Sequence, residues 1–319
     1  MYSFCTYFDQ HYLSRGLVLH QSLVTHCPDF KLFVLCLDDL THELLLKADL
    51  PGLVPVHLGV LEAWEPRLLE ARTTRSVVEY YFTLSPVLPL YVLQTSVAPV
   101  VTYLDADLCF YSSPESLYAE FSDGSILVTS HRFPKHLLHK EEFGAFNVQY
   151  LSFRNDSQGM ACLTRWRDQC LEWCHDRLEE GRFADQKYLD EWPDRYDRLV
   201  VSRDIGVGVA PWNISGCRLD NGGADHWLVD DTEVVFYHFH GFNFVAPGWA
   251  TNNIGEYGFG PNRRMARRLY RDYASRLKTM EATLATRTNC KLSLTNPRRR
   301  RGRLPNWLRA LRHGSLMRV

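Results

Sequence analysis

Two carboxylates separated by one residue, Asp105 and Asp107, follow the apolar, β-branched run Val100-Val101-Thr102-Tyr103-Leu104. In an extended strand residues i and i+2 point to one side, so the pair is expected to aim together at the strand's C-terminal end. Open α/β sheets place their ligands there. Two convergent carboxylates suit a hard divalent cation such as Mg²⁺ or Mn²⁺, which can in turn hold a diphosphate. The same residues also suit an ordinary acidic turn, because Asp is common where strands end. His238, in His238-Phe239-His240-Gly241, follows a second apolar run, Val234-Val235-Phe236-Tyr237. As a third ligand its imidazole would favour Mn²⁺ over Ca²⁺; alone, such a His serves equally well to bond loop backbone. Two further stretches stay open in the same way. Ala184-Asp185-Gln186-Lys187-Tyr188-Leu189-Asp190 reads as a polar helix start in which Asp185 offsets the helix dipole. Phe143-Gly144-Ala145-Phe146-Asn147-Val148 reads as a tight turn marked by Gly and Asn.

The elements around these residues alternate. Residues 2–8 are predicted as a strand and 12–26 as a helix, with Leu13, Leu17, Leu19 and Leu23 near helical spacing. Leu32–Leu37 is fully apolar, as a central parallel strand should be. Thr41 is the expected cap of a helix containing Leu44, Leu45 and Leu46, and Leu53–Leu58 is a third strand. Residues 75–93 read as helical but bent or broken at Pro86 and Pro89. The acidic strand at 100–104 follows. This β-α-β-α rhythm predicts a doubly wound α/β sheet of nucleotide-binding type. Further on, 126–129, 148–153 and 234–237 read as strands, about 157–179 as a helix, and about 262–285 as a basic helix. The division expected is one domain over 1–260 and a basic helical extension and tail over 261–319.

The chain has 319 residues and 45% hydrophobic side chains, enough for a sizeable core. Its net charge of −1 hides an asymmetry. Residues 261–319 hold 17 Lys/Arg against 2 Asp/Glu, and residues 1–260 hold the remaining 19 against 35. A basic tail on an acidic body implies an anionic partner surface. The nine cysteines form no Cys-x-x-Cys pair, which fits free thiols in a reducing cytosol rather than a disulfide or zinc framework. The N-terminal residues lack the basic and apolar regions of a signal peptide, and no apolar run is long enough to span a membrane. The expected location is therefore cytoplasmic.

The order of the motifs is more specific than any one of them. A nucleotide-type first strand is followed by Asp105-Ala106-Asp107, Phe146-Asn147-x-x-x-Leu151, Asp185-Gln186-x-x-Leu189, Pro211-Trp212-Asn213 and His238-Phe239-x-Gly241. Over about residues 2–249 this order resembles the GT-A fold glycosyltransferases, in particular the retaining group containing glycogenin and the bacterial lipopolysaccharide galactosyltransferases. The resemblance implies a GT-A mixed sheet flanked by helices, and a metal-dependent hexosyl transfer from a nucleotide-diphosphate sugar (UDP-sugar favoured) to a glycan or glycolipid in bacterial surface polysaccharide synthesis. It implies Mn²⁺ or Mg²⁺ on Asp105, Asp107 and His238, with Asp105 also near the donor ribose. Thr6 and Tyr7 would line the nucleobase, Asn147 the sugar, and Gly241 would let backbone approach the diphosphate. Asp185 and Gln186 would lie beneath the anomeric carbon, and Trp212 and Asn213 near the acceptor.

Two family features are missing. The last motif lacks the Lys that binds the diphosphate, leaving His240 or an arginine to replace it, and the Arg before Asp-x-Asp is out of register, with Arg75 the nearest basic residue. Two other classes remain. A sugar nucleotidyltransferase would want a Gly-rich loop and a Lys near residues 3–16, and the sequence has neither. A carbohydrate- or lipid-binding protein would need no metal. In the tail, Arg298–Arg303 precede Trp307, Leu308 and Leu311, which a helix would gather on one face. That combination suits peripheral contact with anionic lipid at the cytoplasmic face of the inner membrane. It also suits a solvated tail. No nucleic-acid recognition motif accompanies the charge.

Overall fold

A computed structural model of the chain describes residues 1–27, 29–223, 225–290, 310 and 313–319. The arginine run 298–303 and Trp307, Leu308 and Leu311 of the expected tail anchor lie outside the described residues. Among the described residues, no helix is long and apolar enough to cross a membrane.

The apolar runs assemble into a seven-stranded mixed sheet. In chain order its strands are β1 (Tyr2–Phe8), β2 (Phe30–Cys36), β3 (Leu53–His57) and β4 (Val100–Leu104). A short strand β5 (Leu108–Phe110) lies outside the sheet, which continues with β6 (Ile126–Ser130), β7 (Phe146–Arg154) and β8 (Leu199–Val201). The spatial order is β3-β2-β1-β4-β7-β6-β8. β1 runs parallel to β2 and β4, whereas β7 is antiparallel to β4 and β6. Strands this apolar need cover on both faces. Phe4 and Phe8 point into a layer formed with the helix Leu13–His26, while Cys5 and Tyr7 face a layer formed with the helices Val77–Thr95 and Ser157–Glu172.

Two local expectations are corrected. The helix Asp39–Ala48 is capped by Asp38, whose carboxylate accepts from the Thr41 N–H at 2.7 Å, so Thr41 is the capped residue and not the cap. The helix Val77–Thr95 runs unbroken through Pro86 and Pro89. A Pro inside a helix costs about 3 kcal/mol. Here Leu84, Val87, Leu88 and Leu90 are wholly buried, and each such side chain returns about 1.5–3 kcal/mol. Packing against the sheet therefore outweighs the local penalty.

The other described strands form three smaller sheets. Strands β9 (Leu219–Gly223), β10 (His226–Val229) and β11 (Thr232–Glu233) make a meander. Strand β12 (Phe236–His238) pairs antiparallel with β5. Strands β13 (Asn243–Ala246), β14 (Trp249–Thr251) and β15 (Leu316–Arg318) form the third. The basic helix Arg263–Thr288 packs into the body through Ala266, Leu269, Tyr270, Tyr273, Ala274 and Leu277, a stripe at helical spacing. Its Tyr273 ring stacks on Phe239 at 3.6 Å between centroids, directly behind the His238 loop.

Candidate active site

Strand order reverses between β1 and β4, both of which are parallel and neighbouring, and a doubly wound sheet opens its ligand crevice at that point. Tyr7 ends β1 on one side, and the acidic pair follows β4 on the other. Asp105 and Asp107 are not in the strand, as i, i+2 alternation implied. β4 ends at Leu104, and the pair flanks a turn that leads into β5. Convergence comes from that turn, closed by the Leu108 N–H on the Asp105 carbonyl at 3.3 Å. The pairing of β12 with β5 sets His238 opposite Leu108. This brings the imidazole Nε2 to 2.9 Å from Asp107 and 3.7 Å from Asp105. One candidate ligand atom from each of the three residues lies within 4.8 Å of the others.

Charge in this cluster is tightly balanced. Burial alone would raise Asp107, but the His238 charge and hydrogen bond outweigh it and hold the carboxyl at about 2. Burial would lower His238, and Asp107 and then Asp105 reverse this, raising it above the usual imidazole range. Asp105 is pushed up to about 6, chiefly by burial, against the pull of His238. Its Oδ1 accepts from the Tyr103 hydroxyl at 3.0 Å. Two carboxylates and an imidazole so close together are the donor set a Mn²⁺- or Mg²⁺-sized cation takes.

A second group adjoins the first. Asp185 is buried and lifted to about 7 by desolvation, with a Ser85 hydrogen bond opposing and the Asp105 charge adding to the rise. Ser85 also bonds the Tyr7 hydroxyl at 3.1 Å, which joins Tyr7 to this group of side chains. Ala184, just before Asp185, sits at φ +46°, a left-handed conformation that a non-glycine residue holds only under packing constraint. The Gln186 side chain donates to the Phe143 carbonyl at 2.9 Å and accepts from the Asn147 amide at 3.3 Å. Gly144 leaves room for it: at φ +134° it is open to glycine, and a Cβ would stand 2.8 Å from Gln186 Cγ. The Asn147 Nδ2 also reaches His131 Nε2 at 2.8 Å.

Trp212 forms the wall between these groups. Its ring stands edge-on to His131, His238 and His240, with centroids 5.2–5.7 Å away. Its indole Nε1 is buried without a hydrogen-bond partner among the described residues. Asn213 staples the Trp212 loop, donating to the His131 and Gly208 carbonyls and accepting from the Ala210 N–H. Exposed His240 lies next to His238, with ring centroids 5.6 Å apart.

Three expected residues sit differently. Thr6 points to the Phe4–Phe8 face, and its buried hydroxyl has no partner among the described residues. Neighbours in a strand face opposite ways, so Thr6 and Tyr7 do not line one pocket. Arg75 is engaged at the end of the helix Ser157–Glu172, donating to the Cys170 and Leu171 carbonyls and to Thr83. Gly241, at φ +72°, makes room for Asn253, whose Nδ2 would be 2.3 Å from an added Cβ.

Sequence reasoning missed four residues. Tyr103 and Ser85 read as strand and helix core. Gln149 reads as an interior strand residue. Arg15 reads as a surface helix position, yet it is 4% exposed, donates to the Phe242 carbonyl at 2.8 Å, and its charge helps depress Asp107. Of these, only Tyr103 carried a local signal, being two residues before Asp105.

No family model matches the chain. Two curated proteins of Bacillus subtilis (strain 168) are similar along most of their length. The uncharacterised protein YfnD is 30% identical over 248 residues, covering 76% of this chain and 79% of YfnD. The uncharacterised protein YfnF is 30% identical over 252 residues, covering 76% and 82%. Among solved structures, the galactosyltransferase LgtC in complex with donor and acceptor sugar analogs superposes with a TM-score of 0.51 at 14% identity, over 77% of this chain and 88% of LgtC.

Proposed function

The chain belongs to the family of YfnD and YfnF and has the GT-A glycosyltransferase fold, and from that premise we propose that it transfers a hexose from a nucleotide-diphosphate sugar to a glycan or glycolipid. The observation that carries the proposal is the convergence of Asp105, Asp107 and His238 at the crevice between β1 and β4. A divalent cation there, Mn²⁺ by the mixed oxygen–nitrogen donor set, would supply the positive charge that a departing diphosphate needs.

This chain's own residues do the rest. Tyr7 and Asp105 face the donor nucleoside. His240, beside the metal ligands, takes up the diphosphate in place of the family's lysine, with Arg15 adding positive potential behind Asp107. The sugar becomes oxocarbenium-like as its bond to phosphate stretches. Burial raises Asp185 to about 7 and Ser85 holds it by a hydrogen bond, and the Gln186 amide is weakly basic. In this reading neither residue captures the anomeric carbon, and Asp185 is the alternative nucleophile. Gln186 instead turns its carbonyl oxygen to the positive charge. The acceptor hydroxyl attacks from the face the diphosphate leaves, its proton passing to the leaving phosphate oxygen, and configuration is retained. Trp212 packs against the acceptor, with Asn213 holding its loop.

A thermal-shift screen of UDP-, GDP- and TDP-sugars, with and without Mn²⁺, tests this reading. Ligand at about 100 times its Kd stabilises by about 2.7 kcal/mol. A UDP-sugar should therefore raise the Tm by several degrees with Mn²⁺ and little without it. No shift with any of these donors in the presence of Mn²⁺ would contradict the proposal.

A surface polysaccharide or its lipid-linked precursor is the proposed acceptor, and the proposed site of action is the cytoplasmic face of the inner membrane. The basic tail supplies the contact: several arginines near an anionic surface contribute about 1 kcal/mol each. Replacing Arg298, Arg299, Arg300, Arg301 and Arg303 with Gln, which leaves β15 in place, should abolish binding to anionic liposomes and spare binding of UDP-sugar; unchanged liposome binding would remove the tail from this role.

A further inference from the structure

Gln149 is a wholly buried amide in the middle of β7. An amide in that position needs partners for both ends. Its Oε1 lies 2.9 Å from His238 Nδ1, and its Nε2 donates to Thr129 Oγ1 at 3.4 Å. Its main-chain carbonyl accepts from the Asp105 N–H at 3.0 Å. One residue thus touches two of the three candidate metal ligands, Asp105 through backbone and His238 through side chain.

The chemistry of the contact is directional. An amide oxygen only accepts, so His238 carries its proton on Nδ1 whether the ring is neutral or charged. Nε2 is then the atom presented to Asp105 and Asp107. The surroundings are shaped for this amide. Gly208 is left-handed at φ +66°, and a Cβ there would stand 2.6 Å from Gln149 Nε2. The next residue, Val209, accepts the His238 N–H at 2.9 Å. A side chain at 208 would push the amide from His238.

We propose that Gln149 is the positioning residue of the metal centre: its carboxamide fixes the tautomer and ring plane of His238 so that Nε2 faces the cation. The inference rests on the metal-centre reading given above. Groups placed in this way behind a ligating histidine change metal affinity by about 10–100-fold when removed.

The test uses the full chain and Mn²⁺ alone, without sugar or nucleotide. Free Mn²⁺ is read by electron paramagnetic resonance, and the protonated His238 nitrogen by long-range ¹H–¹⁵N NMR on the metal-free protein. Gln149→Leu should weaken Mn²⁺ binding about 10–100-fold and lose the fixed Nδ1–H signal. Gln149→Asn keeps a polar group but retracts the oxygen by one methylene, so it should show the same two losses if the leucine variant does not fold. Gln149→Glu retains an acceptor at the same reach and should restore the Nδ1–H signal and most of the affinity. A folded Gln149→Leu or Gln149→Asn protein with wild-type Mn²⁺ affinity or an unchanged tautomer overturns the proposal and leaves the metal reading standing. A wild-type protein that binds no Mn²⁺ overturns both.

Discussion

Asp107→Asn should lose metal-dependent donor binding and lower sugar transfer by about 10³-fold or more, with the fold intact. The estimate follows from what the substitution removes. Asn keeps the shape and gives up the negative charge, and Asp107 is the carboxylate most firmly ionised in the site, held at about 2 by His238. Loss of one well-placed electrostatic partner of a developing charge costs about 10²–10³ in rate; here the loss also loosens the ion that every other charge contact depends on. Stability should fall by a smaller amount. Removing one member of a buried hydrogen-bonded pair costs about 1–3 kcal/mol. The pH window has a definite sign. A depressed carboxyl stabilises the fold above its unfolded value of 3.8 and stops doing so as pH falls through about 2. A raised imidazole stabilises below 6.5 and stops as pH rises past its folded value. Destabilisation by Asp107→Asn should therefore be greatest between about pH 4 and 6.5 and shrink at alkaline pH. Circular dichroism and thermal melts across that range, beside activity, separate the two effects. A folded variant with full activity would remove Asp107 from the metal site.

Gln186→Ala should lower kcat by about 10²-fold while the donor KM moves by less than about 3-fold. An amide oxygen beneath the anomeric carbon meets a positive charge only as the glycosyl bond breaks, so its contribution belongs to the transition state. The companion substitution Asp185→Asn distinguishes the roles. A nucleophilic Asp185 would make that variant inactive; as a neutral-leaning group that orders Tyr7 and Ser85, it should leave more activity than Gln186→Ala. Asp185→Asn should also show a stability gain that grows with pH. Desolvation raises the Asp185 carboxyl from 3.8 to about 7, so the wild-type protein keeps that group's full contribution below pH 3.8 and loses it as pH rises through about 7. The difference grows by up to about 1.4 kcal/mol per pH unit across that window and then levels off. An unchanged kcat in Gln186→Ala, measured under saturating donor, would take Gln186 out of the site.

Much of the frame was legible because buried strands leave a plain trace. Leu32–Leu37 is apolar at every position since both faces of β2 are covered. Asp105, Asp107, Asp185, Gln186 and His238 could be singled out because their order along the chain matched a known arrangement of motifs. The contacts that organise them were not legible, because they join residues far apart in sequence through ordinary side chains. Gln149 and His238 are 89 positions apart, and Arg15 reaches the Phe242 carbonyl from 227 positions away. Nothing local marks either residue as more than a strand amide or a helix arginine.

The misplacements have physical causes too. Motif position puts Thr6 beside Tyr7, but strand alternation turns it to the other face. Charge and proximity to Asp-x-Asp point to Arg75, but a guanidinium is also the group best suited to bind several carbonyls at a helix end. Pro86 and Pro89 locally favour a bend or break, and the depth of burial of their helix overrides it.

The central claim is that Asp105, Asp107 and His238 hold a cation that activates a nucleotide-diphosphate sugar. Release of UDP from a UDP-sugar by the purified full chain, followed as slow hydrolysis without acceptor, measures it most directly. The account predicts release with Mn²⁺, none after chelation, recovery on adding Mn²⁺ back, and none at any metal concentration in Asp107→Asn. UDP release that persists undiminished after chelation, or that Asp107→Asn matches, would contradict it.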